Sequence, residues 1–172
     1  MLPAEQFSVH VAGPGSIGRI RSIAHATWPI SYAEILSPEQ VEYMLELMYS
    51  ETAIRQQMER GHTFLVLEQD GTSLAFASFE PANGTTKGPR LHKLYVLPEA
   101  QRNGVGTLLL EAVHSAVKKY GGETIDLNVN KFNPAKRFYE RAGYTILREE
   151  VLDIGNGFVM DDHVMRKRLT PK

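Results

Sequence analysis

The sequence predicts an α/β chain of the α+β kind, with a sheet of about seven strands flanked by helices. Three observations predict it. Strand-like and helix-like periods follow one another as β-α-α-β-β-β-α-β-α-β-β. Two turn signals, Asp70-Gly71 and Gly155-Asn156-Gly157, each lie between β-rich segments and predict antiparallel hairpins. Between the hairpins, a β-rich run ends at Pro98 and leads through a loop with two glycines into an amphipathic segment.

Residues 7–12 alternate and suit the first strand. Residues 14–28 carry Ile17, Ile20, Ile23, Ala24 and Ala26 near helical spacing, and Pro29 is expected to end that helix. Ser37-Pro38-Glu39-Gln40 supplies an N-cap, a proline at the first helical position and a glutamine at the third. Val41, Met44, Leu45 and Met48 then mark the buried stripe. Helical character runs on through residues 51–60 to Gly61. Residues 63–68 and 73–79 read as the hairpin around Asp70-Gly71, residues 81–89 as a polar loop, and residues 90–96 as the next strand. A long helix over 105–120 stops at Gly121-Gly122. A strand over 124–129, a helix over 133–142 ended by Gly143, and a hairpin of 145–153 with 158–166 complete the order. Residues 1–172 read as one domain, with no linker, repeat or low-complexity segment.

Composition narrows the function. With 19 basic and 20 acidic residues and a net charge of -1, nothing favours nucleic acid. No apolar run is long enough for a membrane span. The start, Met1-Leu2-Pro3-Ala4-Glu5-Gln6, lacks the regions of a signal peptide. Cysteine is absent, so neither disulfides nor a thiolate zinc site can form. A cytoplasmic setting and no metal are expected.

The stretch from Leu94 to Thr107 is the most telling. It is strand, phosphate-sized loop and helix start. A first helical turn has unpaired N–H groups and partial positive charge, and glycine lets backbone approach a bulky anion. The loop reads as a seat for a pyrophosphate. Its spacing, Gln101-x-x-Gly104-x-Gly106, resembles the Q/R-x-x-G-x-G/A signature of the GNAT acyltransferase superfamily, which binds acetyl-CoA. After one more strand, Asn133-Pro134-Ala135-Lys136-Arg137-Phe138-Tyr139-Glu140-Arg141-Ala142-Gly143-Tyr144 resembles the family's N-x-A-x-x-F-Y-x-x-x-G-[FY] segment. Many members carry an asparagine one position earlier, where this chain has Phe132. The resemblance covers roughly residues 63–167.

The resemblance implies a mixed, mainly antiparallel sheet whose splayed central strands hold CoA. A backbone amide near Leu94 would bind the thioester carbonyl, with Tyr95 and Val96 lining the pantetheine arm. Gln101, Arg102, Asn103, Gly104, Val105, Gly106 and Thr107 would hold the pyrophosphate. Asn128, Asn133 and Lys136 would meet the arm or its phosphates, and Asn133 also suits a cap for the last helix. The family's usual acid is the tyrosine of the F-Y pair, here Tyr139. Some members place a histidine base in the strand before the loop, here His92, and others use ordered water. Strand periodicity puts His92, Leu94 and Val96 on one face. With no cysteine in the chain, the acyl group cannot pass through an enzyme thiol, and direct attack of the acceptor on the thioester is the simpler expectation.

In the resembled family the acceptor lies between the first two helices and the last hairpin. Trp28, Tyr32, Glu34, Tyr43, Phe158, Asp161 and Asp162 fall in those segments. Aromatics with carboxylates suit a cationic amine, a small molecule ahead of a protein. Dimerisation is common in the family. Two rivals stand beside this reading. An acyl-CoA-binding module without catalysis would keep the glycine loop and lose the acid. A dinucleotide-dependent oxidoreductase would use Gly13-Pro14-Gly15-Ser16-Ile17-Gly18, which spells G-x-G-x-x-G. That second pattern needs a parallel strand and an acidic residue about 20 positions on. Pro14 also removes a donor from the cradle, so a plain strand-to-helix turn is expected.

Overall fold

The computed structural model describes residues 6–81 and 88–169. Residues 1–5, part of the reading of the chain's start, and residues 82–87, most of the expected polar loop, lie outside it. Among the described residues are seven strands, β1 (Phe7–Ala12), β2 (Thr63–Gln69), β3 (Thr72–Glu80), β4 (Arg90–Val96), β5 (Thr124–Asn130), β6 (Thr145–Gly155) and β7 (Phe158–Arg168). Five helices join them, α1 (Ile17–Ser31), α2 (Pro38–Tyr49), α3 (Glu51–Glu59), α4 (Val105–Lys119) and α5 (Ala135–Arg141). The strands form one sheet in the order β1-β2-β3-β4-β5-β7-β6. All neighbours are antiparallel except β4 and β5, whose parallel pairing needs the long crossover that α4 supplies. This is the mixed, mainly antiparallel sheet that the resemblance implies.

Strand alternation sends side chains to two apolar layers. Leu65, Leu67, Ala75, Ala77, Ile125, Leu127 and Met165 pack with Leu109, Val113 and Val117 of α4. Phe64, Val66 and Phe76 pack with Ile20, Ile23 and Trp28 of α1, Met44 and Leu45 of α2, and Ile54 of α3. On β5 the alternate residues Asp126, Asn128 and Asn130 turn away from the α4 layer.

Both hairpins form at the expected turns. Asp70 and Gly71 have φ of 52° and 80°, and Gly155, Asn156 and Gly157 have 91°, 57° and 81°, values that twist a strand pair the right way. Two helix boundaries differ from expectation. Residues 14–16 are a 3₁₀ turn, and α1 runs through Pro29 to Ser31. Proline deletes one hydrogen bond in the last turn, but Tyr32 N–H still bonds Trp28 O at 3.0 Å, and the Trp28 and Tyr32 rings pack 4.4 Å apart. The second helical run also breaks in two at Ser50, which is extended at φ -66° and ψ 157°. Its hydroxyl accepts the Ala53 N–H at 3.1 Å, just as the Ser37 hydroxyl caps α2 through Gln40 N–H at 3.1 Å. Ser50→Ala should therefore destabilise the fold by about 0.5–2 kcal/mol, seen as a lower urea midpoint. An unmoved midpoint would make the cap dispensable.

Candidate active site

The sheet is open at its centre. β4 and β5 pair only at Arg90↔Asp126 and Leu91↔Leu127, although β4 continues to Val96 and β5 to Asn130. Leu97 N–H bonds Leu74 O on the β3 side at 2.8 Å. Alternation therefore turns the N–H groups of Leu94 and Val96 into the gap. At the top of the gap, Gln101 Nε2 donates to Val96 O at 3.1 Å and ties the glycine loop to the strand end. Arg102 and Gly104 take φ of 69° and 80°, bending the chain into α4. Leu108 N–H makes a helical bond to Gly104 O at 3.0 Å. The N–H groups of Val105, Gly106 and Thr107 precede that bond and have no turn of helix before them. A Cβ on Gly106 would lie 3.5 Å from Phe138 and 3.7 Å from Val96, so the second glycine sits where α4, α5 and β4 converge. Asn103 is half-buried in this loop, and Arg102 and Thr107 are exposed at its rim. Lys136 is half-buried on the first turn of α5.

Three hydroxyl and amide groups meet beside the gap. Tyr32 from the end of α1 and Tyr95 from β4 bring their hydroxyls to 3.2 Å. Asn133 Nδ2 reaches the Tyr32 hydroxyl at 3.5 Å, while its Oδ1 accepts Ala135 N–H at 2.9 Å and starts α5 as expected. Tyr139 is 8 % exposed and its ring packs edge-on to Tyr144 and Phe138. Its hydroxyl has no hydrogen-bond partner among the described residues. Burial raises the Tyr139, Tyr32 and Tyr95 phenols above their ordinary value, so all three stay protonated at neutral pH. Trp28, expected as a pocket wall, is 1 % exposed and lies behind Tyr32 and Tyr95, with ring centroids 4.4 and 5.8 Å away.

His92 does not share a face with Leu94 and Val96, contrary to the period-two expectation. The β3–β4 register slips between Ser78↔Lys93 and Phe79↔Leu91, leaving His92 as the extra residue of a bulge. Leu94 and Val96 pack toward α4. The His92 ring instead stacks on His62, at the turn before β2, with centroids 4.2 Å apart and planes 6° apart. Its Nε2 lies 2.7 Å from Glu80 Oε1 at the end of β3, and His62 Nε2 lies 3.6 Å from the same oxygen. Lys93 follows, buried with its ammonium 5.4 Å from the Tyr49 ring centre. Burial pulls Lys93 down to about 8. It also pulls both histidines below their usual range, His92 to about 4 with a further push from His62. Both rings are neutral at pH 7.

Beyond the gap, the polar side of β5 and β7 forms a floor. Asn128 donates from Nδ2 to Glu150 Oε2 at 3.1 Å and to Asp162 Oδ2 at 3.2 Å, and its carbonyl accepts from Arg90. Its side chain is thus committed to the floor. Asp162 is 4 % exposed, and its Oδ1 is buried with no hydrogen-bond partner among the described residues. Burial raises its carboxyl above the ordinary range, and its charge raises Tyr32 in turn. Asp161 is held by Lys131 at 3.1 Å, and Glu34 is exposed on the turn after α1. The last hairpin closes against α2. Tyr43 OH donates to Ile154 O at 2.7 Å, its ring lies 5.4 Å from Phe158, and Gln40 Nε2 donates to Val159 O at 2.9 Å.

The family model described as an acetyltransferase (GNAT) domain matches residues 32–167. The chain belongs to the GNAT acetyltransferase family. Acetyl transfer is the reaction for which that family is named. A curated GNAT relative, the uncharacterized N-acetyltransferase YuaI of Bacillus subtilis (strain 168), is 27% identical over 117 residues. That alignment spans 66% of this chain and 66% of the relative, just under two thirds of its length. Among solved structures, the PaiA N-acetyltransferase of Thermoplasma acidophilum in complex with coenzyme A superposes with a TM-score of 0.80 at 22% identity, over 94% of this chain and 98% of that one. YncA of Salmonella typhimurium, solved with its cofactor acetyl-CoA, gives 0.64 at 18% identity over 97% and 96%. At such identities the likeness speaks for the GNAT fold alone; the first neighbour was solved with coenzyme A and the second with acetyl-CoA.

The rival dinucleotide pattern has no place in a GNAT sheet. β1 is an antiparallel edge strand beside β2, and Gly13–Ser16 only turns the chain into α1. Within the GNAT frame the structure also brings in residues that the sequence did not single out. Glu80, His62 and Lys93 join His92, and Glu150 and Arg90 join Asp162 through Asn128. A charged residue ending an apolar strand, as Glu80 does, was the available signal.

Proposed function

We propose that this chain transfers the acetyl group of acetyl-CoA directly to a small cationic amine. The observation that carries the reading is Asp162 Oδ1, a buried carboxylate oxygen with no hydrogen-bond partner among the described residues, close enough to Tyr32 for its charge to raise that phenol. A buried carboxylate left unpaired is costly, and an ammonium group would satisfy it. The thioester would lie along β4, its carbonyl on the Leu94 N–H and its arm beside Tyr95 and Val96. The pyrophosphate would rest on the Gln101–Thr107 loop, with Lys136 alongside. His92 would take the amine proton, and Tyr139 would hand a proton to the departing thiolate.

An amine panel with acetyl-CoA, read as free CoA thiol, tests this directly, and a chain without cysteine contributes no thiol background. Diamines and polyamines should outrun neutral amines and amino acids. Asp162→Asn should raise the acceptor KM by about 10- to 100-fold, the worth of a charged hydrogen bond. Salt should raise that KM only slightly, because a buried pair is screened much less than an exposed one. Since burial raises the Asp162 carboxyl, its charge is lost on acidification sooner than for an ordinary aspartate. The acceptor KM should climb correspondingly early as pH falls. If neutral or anionic acceptors lead the panel, the acceptor assignment is wrong. The donor side would stand, because it rests on other residues.

A further inference from the structure

We infer that Glu80 is a positioning residue that fixes His92 with its proton on Nε2, so that the working base is His92 Nδ1. The inference rests on the reading of His92 as the base. A carboxylate only accepts hydrogen bonds, so the 2.7 Å contact requires the imidazole to donate from Nε2. In a neutral ring the lone pair is then on Nδ1. His92 Nδ1 takes no partner among the described residues, and it is not sealed from solvent as His62 Nδ1 is.

The bulge is what makes the arrangement possible. Without the extra residue His92 would point with Leu94 toward α4, and Glu80 would have no imidazole within reach. Leu94, whose N–H faces the gap, is two residues along β4, a rise of about 6.6 Å. One acceptor nitrogen can therefore lie near both the thioester carbon and Nδ1. His62 covers one face of the ring in a near-parallel stack and keeps it from rotating. Three charged or titratable groups face the ring: Glu80 from β3, His62 from the turn after α3, and Lys93 from β4. Lys93 and a protonated His62 oppose a proton on His92, and Glu80 favours it. Once the amine nitrogen has bonded to the acetyl carbon, its proton passes to Nδ1. The imidazolium then formed donates from Nε2 to Glu80 at no cost in rearrangement. The proton stays on the imidazole and is not passed to Glu80, and the C–S bond breaks to release the thiolate, protonated by Tyr139.

The test combines kinetics with imidazole ¹⁵N NMR on the full chain. Wild-type His92 should show a protonated Nε2 and an unprotonated Nδ1 at neutral pH. Glu80→Gln should mix the tautomers and lower kcat by at least about 10-fold, with the acetyl-CoA KM unchanged. His92→Ala should lower kcat by about 10²-fold or more. Glu80→Asp, which keeps the charge, should recover part of the rate and the tautomer. A slow His92→Ala beside a full-rate Glu80→Gln, or a wild-type proton on Nδ1, overturns the inference alone. A full-rate His92→Ala overturns the base reading and this inference with it.

Discussion

Tyr139→Phe is expected to bind acetyl-CoA as the wild-type chain does and to turn over about 10²–10⁴-fold more slowly. The ring is a packing element as well as the proposed acid, wedged between Phe138 and Tyr144. Phenylalanine keeps that packing and removes only the hydroxyl, which has no hydrogen-bond partner among the described residues. Burial holds the phenol well above its ordinary value, which would make it a poor acid toward a thiolate in water. The same desolvation raises a thiol formed beside it, so the proton transfer is not made uphill by burial alone. Because the phenol stays protonated through the alkaline range, it should add no alkaline limb to the wild-type profile below pH 10. Calorimetry with CoA and single-turnover rates at saturating acceptor separate the effects. A variant that keeps full chemistry would reduce Tyr139 to packing.

The larger effect on binding is expected at Gly104. Its φ of 80° closes the loop against the first turn of α4, and a Cβ there costs about 1–2 kcal/mol, more when β-branched. Gly104→Val should turn the Val105 and Gly106 N–H groups away from the pyrophosphate seat. Losing two charged hydrogen bonds weakens CoA on the order of 10²-fold or more. The core of α4, from Leu109 to Val117, lies beyond the loop, so the far-ultraviolet dichroism should be unchanged. Undiminished CoA affinity in a folded Gly104→Val chain would remove the pyrophosphate from this loop.

What could be read from the sequence was local. The two glycine turns, the Ser37 cap and the glycine loop each announce themselves within a few residues, because their chemistry is confined to one turn of backbone. Ser50 carried the same kind of signal and was overridden by helical periodicity on both sides. Pro29 was read by its general habit, while tertiary burial of Trp28 and Tyr32 decided the outcome. The donor side was legible because one segment carries most of it. The acceptor side was not, since its groups come from α1, β3, β4, β5 and the last hairpin. Aspartates 161 and 162 look alike in the sequence. Only the structure shows that Lys131 pairs with the first, which stays partly exposed, and that the second is buried with no cation paired to it among the described residues. The face of His92 was misread by one residue of register, an error that strand periodicity cannot detect when a bulge intervenes.

The opening between β4 and β5 has a consequence for how such a protein can change. The loop and α4 that would grip the donor belong to one layer, and the helices and hairpin that would grip the acceptor belong to the other. β4 would serve both, through its N–H groups on one edge and through His92 and Tyr95 on one side. Substitutions in α1, α2 or the hairpin can therefore drift toward a new amine without disturbing the donor, and selection can try acceptors one at a time. The same separation makes β4 the least free part of the chain: there, a single inserted or deleted residue alters both halves of the reaction at once.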